Sequence, residues 1–234
     1  MIRIGTAGWA LRQEHKALFR EGASHLARYA TRLNAVEVNS SFYRPHRAAT
    51  YARWARETPD GFRFSVKMPR AITHEARLNG AGPALDAFFA QCGALGEKLG
   101  CVLVQLPPSL AFAQTDFFIR LRERFGGRVA LEPRHRSWFA PQVEALLAQH
   151  RIARVAADPP AAAPAGTFAP GGFAGFEYWR LHGSPKIYYA DYDDAFLAAL
   201  AGRIGGDAWV IFDNTALGFA TPNALSLGVR MRRR

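Results

Sequence analysis

The chain is short of cysteine, of lysine, of acidic residues and of long apolar runs, and each shortage removes a class of protein. Only Cys92 and Cys101 occur among 234 residues. One falls in a helix-like segment and the other opens an apolar strand, so buried thiols in a reducing compartment are expected, not a disulfide framework, a zinc motif or a catalytic thiol. No run of about 18 apolar residues is present, so no membrane-spanning helix is expected. Met1-Ile2-Arg3-Ile4-Gly5 enters a strand directly, without the layout of a secretion signal, and a cytoplasmic protein is expected. The phosphate-cradling G-x-x-x-x-G-K-S/T loop, the dinucleotide fingerprint and the G-x-S-x-G elbow are missing. That disfavours nucleoside-triphosphate, nicotinamide and serine-hydrolase chemistry.

Acidic residues number 19 against 30 lysines and arginines, a formal charge of +11. An excess of this size invites a nucleic-acid reading. Yet all but four of the cations are arginine, alanine is abundant, and the cations are spread over the whole chain. Compositional bias is the simpler explanation. The only true run, Arg230-Met231-Arg232-Arg233-Arg234, reads as a solvated terminal tail. Nucleic acid is therefore a disfavoured partner.

What is present is an alternation of short apolar runs with longer amphipathic segments. Strands are predicted at Ile2-Arg3-Ile4-Gly5-Thr6, Val36-Glu37-Val38-Asn39-Ser40, residues 62–67, 101–106, 128–132, 152–158, 177–182 and 209–214. Helices are predicted near 24–33 (capped by Ser24), 48–57, 83–99, 115–125, 141–150, 194–203 and 223–229. Residues 158–175, rich in Pro, Ala and Gly, read as an irregular crossover between strands 6 and 7, or a lid. Eight β-α units without an internal linker predict one α/β domain over residues 1–234, a compact (β/α)8 TIM-type barrel of parallel strands. An open doubly wound sheet is the runner-up.

Strand parity supports the barrel. Glu37 and Asn39 share a face, as do Arg63, Ser65 and Lys67, Ala130 and Glu132, and Arg180 and His182, while the opposite faces are apolar. Helices on both sides of an open parallel sheet would require both faces to be apolar. The C-terminal strand ends then converge on a mouth carrying Glu37, Asn39, Lys67, Gln105, Glu132, Arg134, Asp158, Arg180, His182, Asp213 and Asn214. A salt-bridged lumen is the structural alternative.

Eight motifs, taken in order, resemble the domain of unknown function 72 family: Gly5-Thr6-Ala7-Gly8-Trp9, Val36-Glu37-Val38-Asn39-Ser40-Ser41-Phe42-Tyr43, Phe64-Ser65-Val66-Lys67, Ile72-Thr73-His74, Gln105-Leu106-Pro107-Pro108, Glu132-Pro133-Arg134-His135-Arg136-Ser137-Trp138, Arg180-Leu181-His182-Gly183 and Phe212-Asp213-Asn214. The resemblance spans nearly the whole chain and implies a compact TIM-type barrel. It supplies no activity. Pro133 departs from the pattern, and a proline there removes a ladder donor at a strand end, which would re-aim Arg134.

On the residues themselves, Glu132 is the first candidate general acid/base, with a salt bridge to Arg134 or Arg180 as the competing role. Glu37 would be the second carboxylate of a pair, and His182 completes the catalytic candidates. Lys67 could form a Schiff base, although holding an anion is the favoured role. Arg134 and Arg180 would neutralise a ligand. His182, with Glu37, Glu132, Asp158 and Asp213, could ligate a divalent metal, but no two have a local ligand spacing, so no metal residue and no cofactor is assigned. Trp9, Phe42, Tyr43, Trp138, Tyr188 and Tyr189 follow strands and could stack on sugars or bases. His74 and His135 lie on mouth loops. The reading is an enzyme, a hydrolase or isomerase, using carboxylate acid/base chemistry on a small polar, anionic, sugar- or nucleoside-like ligand. Its alternatives are a non-catalytic anion-binding module and a metal-dependent, endonuclease IV-like nucleic-acid-processing protein. Oligomeric state is left open.

Overall fold

Residues 1–113, 116–160 and 168–232 are described by a computed structural model. The parallel strands are β1 (Ile2–Thr6), β2 (Ala35–Val38), β3 (Arg63–Lys67), β4 (Leu99–Gln105), β5 (Arg128–Glu132), β6 (Ile152–Arg154), β7 (Ala156–Asp158), β9 (Glu177–Leu181) and β10 (Ala208–Phe212), with a short antiparallel β8 (Gly171–Gly172). Helices α1 (His25–Tyr29), α2 (Ala48–Arg56), α3 (Gly82–Cys92), α4 (Phe117–Arg124), α5 (Pro141–Gln149), α6 (Asp194–Arg203) and α7 (Ala220–Arg232) fall between the strands or after them. The result is a mixed α/β single domain whose sheets are dominated by parallel pairing.

One closed eight-stranded sheet is the sequence expectation. The hydrogen bonds instead define two sheets, β1-β10-β9-β7 and β2-β3-β4-β5-β6-β8. Each seam has a local cause. Between β1 and β2, side chains stand where ladder bonds would run. The amide of Thr6 donates to the Tyr29 hydroxyl, which donates to the Ala35 carbonyl. Asn34 accepts from the Ile4 amide and donates to the Ile2 carbonyl. A single parallel bridge, Ala7 to Glu37, joins the strands directly. Gly5 permits this approach, because a Cβ there would lie 2.0 Å from the Ala35 carbonyl oxygen. At the second seam the strand predicted over 152–158 divides at Val155: β6 pairs with β5, and β7 pairs with β9.

Other boundaries also move. The helix predicted over 83–99 ends at Cys92 and continues as a 3-10 segment, Gly93–Lys98, because glycines at 93 and 96 give little propensity to prolong it. The last helix is longer than predicted, and Arg230 in the basic tail is paired with Asp194 rather than merely solvated. Residues 161–167 of the crossover, Arg233, Arg234 and the predicted helix start at Thr115 lie outside the described residues. Pro133 falls just past β5, so no bond within that strand is lost.

Two apolar layers form. Outward strand residues such as Val36, Phe64, Val102, Leu131 and Val210 pack with the helices, while Ala35, Cys101, Leu103, Ala130, Ala153, Trp209 and Ile211 form a second, inner cluster. Both cysteines are buried free thiols. Ser24 caps α1 as expected, accepting from the Ala27 amide at 3.1 Å and donating to Glu57 at 2.8 Å. Ser24→Ala should cost about 1 kcal/mol, read as a lower urea midpoint. An unchanged midpoint would show that packing alone holds this short helix.

Candidate functional site

The alternation that buries apolar groups outside and in the middle of the inner layer leaves the polar ends of β2, β3, β4, β5, β9 and β10 facing one another. Their centre is Arg180 of β9, fully buried. One edge of its guanidinium grips both oxygens of Glu37, Nε to Oε2 at 3.0 Å and Nη2 to Oε1 at 2.7 Å. It also donates to Glu132 through Nη1 (3.1 Å) and lies 3.0 Å from Asp213 through Nη2. Three carboxylates from three strands thus converge on one planar cation, whose charge they reinforce against the cost of burial.

His182 closes the network. Its Nδ1 lies 3.0 Å from Asp213 Oδ2 and its Nε2 lies 3.2 Å from Glu132 Oε1. Burial works against the imidazolium, but Glu132 and Asp213 outweigh it and raise the pKa above its ordinary value. Arg180 Nη1 sits 3.4 and 3.3 Å from the two ring nitrogens. From there the guanidinium charge opposes the imidazolium, against the pull of the two carboxylates. Glu132 also accepts from Gln105 (2.9 Å) and from Arg134 (3.1 Å). Burial alone would favour its neutral acid, yet Arg180, His182 and Arg134 hold its pKa well below the usual carboxylate range. Asp213 is lowered in the same way: burial opposes, and Arg180, His182 and Lys67 prevail.

Lys67, at the end of β3, is different. It is buried, with 5% exposure, and its ammonium has no carboxylate within ion-pair distance among the described residues. Its Nζ donates to Asn39 Oδ1 at 3.1 Å and stands 4.2 Å over the Phe42 ring. Burial first, and then Arg180, push its pKa down to about 8, against the pull of the three carboxylates. His74, on the turn Ala71–Glu75, meets Phe42 edge-on at 4.9 Å. Partial burial, Lys67 and Arg134 lower its pKa and favour the neutral imidazole.

A cavity of about 660 Å³ adjoins this corner, lined by Trp9, Leu11, His25, Asn39, Ser40 and Tyr43 among others. Asn39 therefore belongs to both, touching Lys67 on one side and the cavity on the other. Trp9 packs edge-on against Trp54 at 4.9 Å, and Tyr43 is largely exposed.

Not every residue singled out from sequence reaches the site. Trp138 is 1% exposed, donates its Nε1 to the Leu110 carbonyl and packs on Phe112 and Phe118, so it is core. Asn214 is buried and donates to Ala190 and Asn223, bracing the loop after β10. Asp158 accepts from the Tyr192 hydroxyl at 2.8 Å, and burial raises its pKa. His135 is occupied with Ser137. Among the described residues no group of three His, Cys, Asp or Glu side chains has the arrangement of a metal centre; Arg180 stands where the carboxylates meet.

Tyr178 escaped the sequence reading, and Ser65 entered it only as a face-mate of Lys67. Tyr178 donates to Glu37 at 3.2 Å and its hydroxyl lies 2.8 Å from that of Ser65. The signal was available: Tyr178 stands two residues before Arg180, so the same parity turns it inward.

A family model described as "Protein of unknown function DUF72" matches residues 3–234. The UPF0759 protein YecE of Escherichia coli K12 is 29% identical over 142 residues, 60% of this chain and 51% of that protein. The UPF0759 protein YunF of Bacillus subtilis is 30% identical over 153 residues, 60% of this chain and 53% of that protein. The chain spans about half the length of these curated relatives. Among solved structures, a DUF72 family protein from Enterococcus faecalis superposes with a TM-score of 0.80 at 23% identity, covering 99% of this chain and 96% of that one. One from Thermotoga maritima gives 0.78 at 24%, covering 99% of both.

Proposed function

From the premise that this chain belongs to the DUF72 family, whose function is unknown, we propose an enzyme that works at the C-terminal strand ends on a small anionic or carbonyl-bearing ligand of sugar- or nucleoside-like size. One observation carries this reading. Among the described residues Lys67 is a buried amine with no carboxylate partner, beside a ring of carboxylates that all have partners. Burial of a charge without an ion pair is costly and persists where it is useful. The amine, at about 8, exchanges protons near neutral pH. The ligand's charged or carbonyl group would lie against Lys67, His74 and Arg134, and its ring would enter the cavity bounded by Trp9 and Tyr43.

In this reading the acid/base role passes from Glu37 and Glu132 to Lys67. Arg180 fills the space between the two carboxylates, so a sugar cannot sit between them as a glycosidase pair requires. Glu37, Glu132 and Asp213 instead hold Arg180 and His182 in place, and the carboxylates favour the protonated form of His182. We also infer that the two sheets are arcs of one eight-stranded TIM-type barrel, their seams bridged by Tyr29, Asn34 and the divided strand at Val155. A non-catalytic anion sensor is the second reading, favoured by how completely Glu132 is pinned.

The test is competitive acylation of the native protein with trace acetic anhydride, read by peptide mass spectrometry. Among the four lysines, Lys67 should titrate with a midpoint of about 8, and inorganic phosphate should slow its labelling. A Lys67 labelled no faster than Lys16 at pH 7, with or without phosphate, sinks the proposal.

A further inference from the structure

The face that carries the mouth residues also carries charge at its other end. Arg63 shares a face with Ser65 and Lys67, and Arg128 with Ala130 and Glu132, so each strand bears a cation at its start. Along β3 the two ends stand roughly 13 Å apart at 3.3 Å per residue, with the apolar layer of Ala35, Cys101, Leu103, Ala130 and Ile211 between them. Arg3 of β1 joins Arg63 and Arg128 at the N-terminal end. Its guanidinium lies 5.7 Å from the Trp209 ring, and Trp209 is its register partner on β10. The indole reaches across to β4, where a Cβ on Gly100 would come within 2.7 Å of the Trp209 ring and 2.9 Å of Arg63 Cβ. Trp209 is thus a floor, with Arg3 and Arg63 at its edges.

Two of these arginines, Arg3 and Arg63, are held by backbone carbonyls and paired with no carboxylate among the described residues, whereas Arg128 pairs with Asp207. Arg3 donates to the Gly61 carbonyl, and Arg63 to those of Asp60 and Phe62. Asp207 is engaged at 2.6 Å by Arg128 alone among the three. Arg63 also lines a cavity of about 460 Å³ together with Asp60 and Glu97, and Arg128 lines a separate one of about 260 Å³. Independently, the Trp209 Nε1 is buried and has no hydrogen-bond partner among the described residues, an N–H that costs free energy until an acceptor arrives.

We propose that Arg3, Arg63 and Arg128, over the Trp209 floor, form a second site at the N-terminal strand ends for a small tetrahedral oxyanion of the phosphate or sulfate class. Guanidinium forks present paired donors to such an anion, and an oxygen close to the indole would satisfy Nε1. The site is separate from Lys67 and does not rest on the function proposed for it.

Inorganic phosphate is the probe, followed by titration calorimetry and by the five tryptophan indole N–H signals in ¹⁵N spectra of the full chain. Phosphate should shift the Trp209 signal, assigned by its loss in Trp209→Phe. The Arg3→Gln/Arg63→Gln double variant should bind at this site at least about tenfold more weakly. Lys67→Met should leave the Trp209 shift intact, and Asp207→Asn should tighten binding by removing a competing carboxylate. Because the double variant could misfold, the wild-type spectrum decides independently. A Trp209 signal that does not move at saturating phosphate overturns the proposal, and so does a shift that vanishes in Lys67→Met. A mouth that loses phosphate in Lys67→Met while the Trp209 shift persists supports both sites separately.

Discussion

Arg180→Met should lower the stability of the protein by about 3–5 kcal/mol, the cost of leaving buried carboxylates without their shared cation. Three acids depend on that guanidinium: Glu37 through two bonds, Glu132 through one, and Asp213 at 3.0 Å. Methionine replaces the aliphatic stem of the side chain but none of its donors. Arg180→Lys should recover only part of the loss, because one ammonium cannot replace a fork that serves both edges of Glu37. Urea unfolding at pH 7 measures the effect. The damage should also be partly relieved in mild acid, as carboxylates left unpaired in the variant take up protons. A loss below about 1 kcal/mol would show that the network is not what holds these strand ends together.

The opposite result is expected at Lys67. Lys67→Met should stabilise the fold by about 1–3 kcal/mol at pH 7 while abolishing protection by phosphate at the mouth. In the folded protein the amine has a pKa of about 8 against 10.5 for the free side chain. The unfolded chain therefore binds more protons between these values, and wild-type stability rises with pH across that window. Below about pH 8 the full penalty of holding a buried ammonium is present, with an upper bound of ~3 kcal/mol at 1.36 kcal/mol per pH unit. The gap between variant and wild type should be constant below pH 8 and close as pH approaches 10.5. A residue that destabilises its own fold is retained for what it does, which is the sense in which stability and activity trade off. A destabilised Lys67→Met would mean that the amine is structural and would remove the main support for the proposed function.

The two substitutions separate a framework from a working group. Arg180, His182, Glu37, Glu132 and Asp213 satisfy one another, whereas Lys67 is held by an amide oxygen and an aromatic face. An incoming anion would be the ion-pair partner that Lys67 lacks among the described residues.

Much of this is legible in local pattern. Period-two alternation assigned Glu37, Ser65, Lys67, Glu132, Arg180 and His182 to one face, and the strand ends assigned them to one edge, because side-chain direction in a strand is a property of neighbouring residues. The α/β class follows from the same alternation. Tertiary structure alone decided which carboxylate meets which cation. Arg180 and Glu37 stand 143 residues apart in the chain, and no local rule distinguishes that pairing from Glu37 with Lys67. It also decided that Trp138 is core, and that Tyr29 and Asn34 side chains replace ladder bonds at one seam. Direction along a strand is set by the backbone of adjacent residues, but partnership across strands is set by competition among every group that reaches the same space.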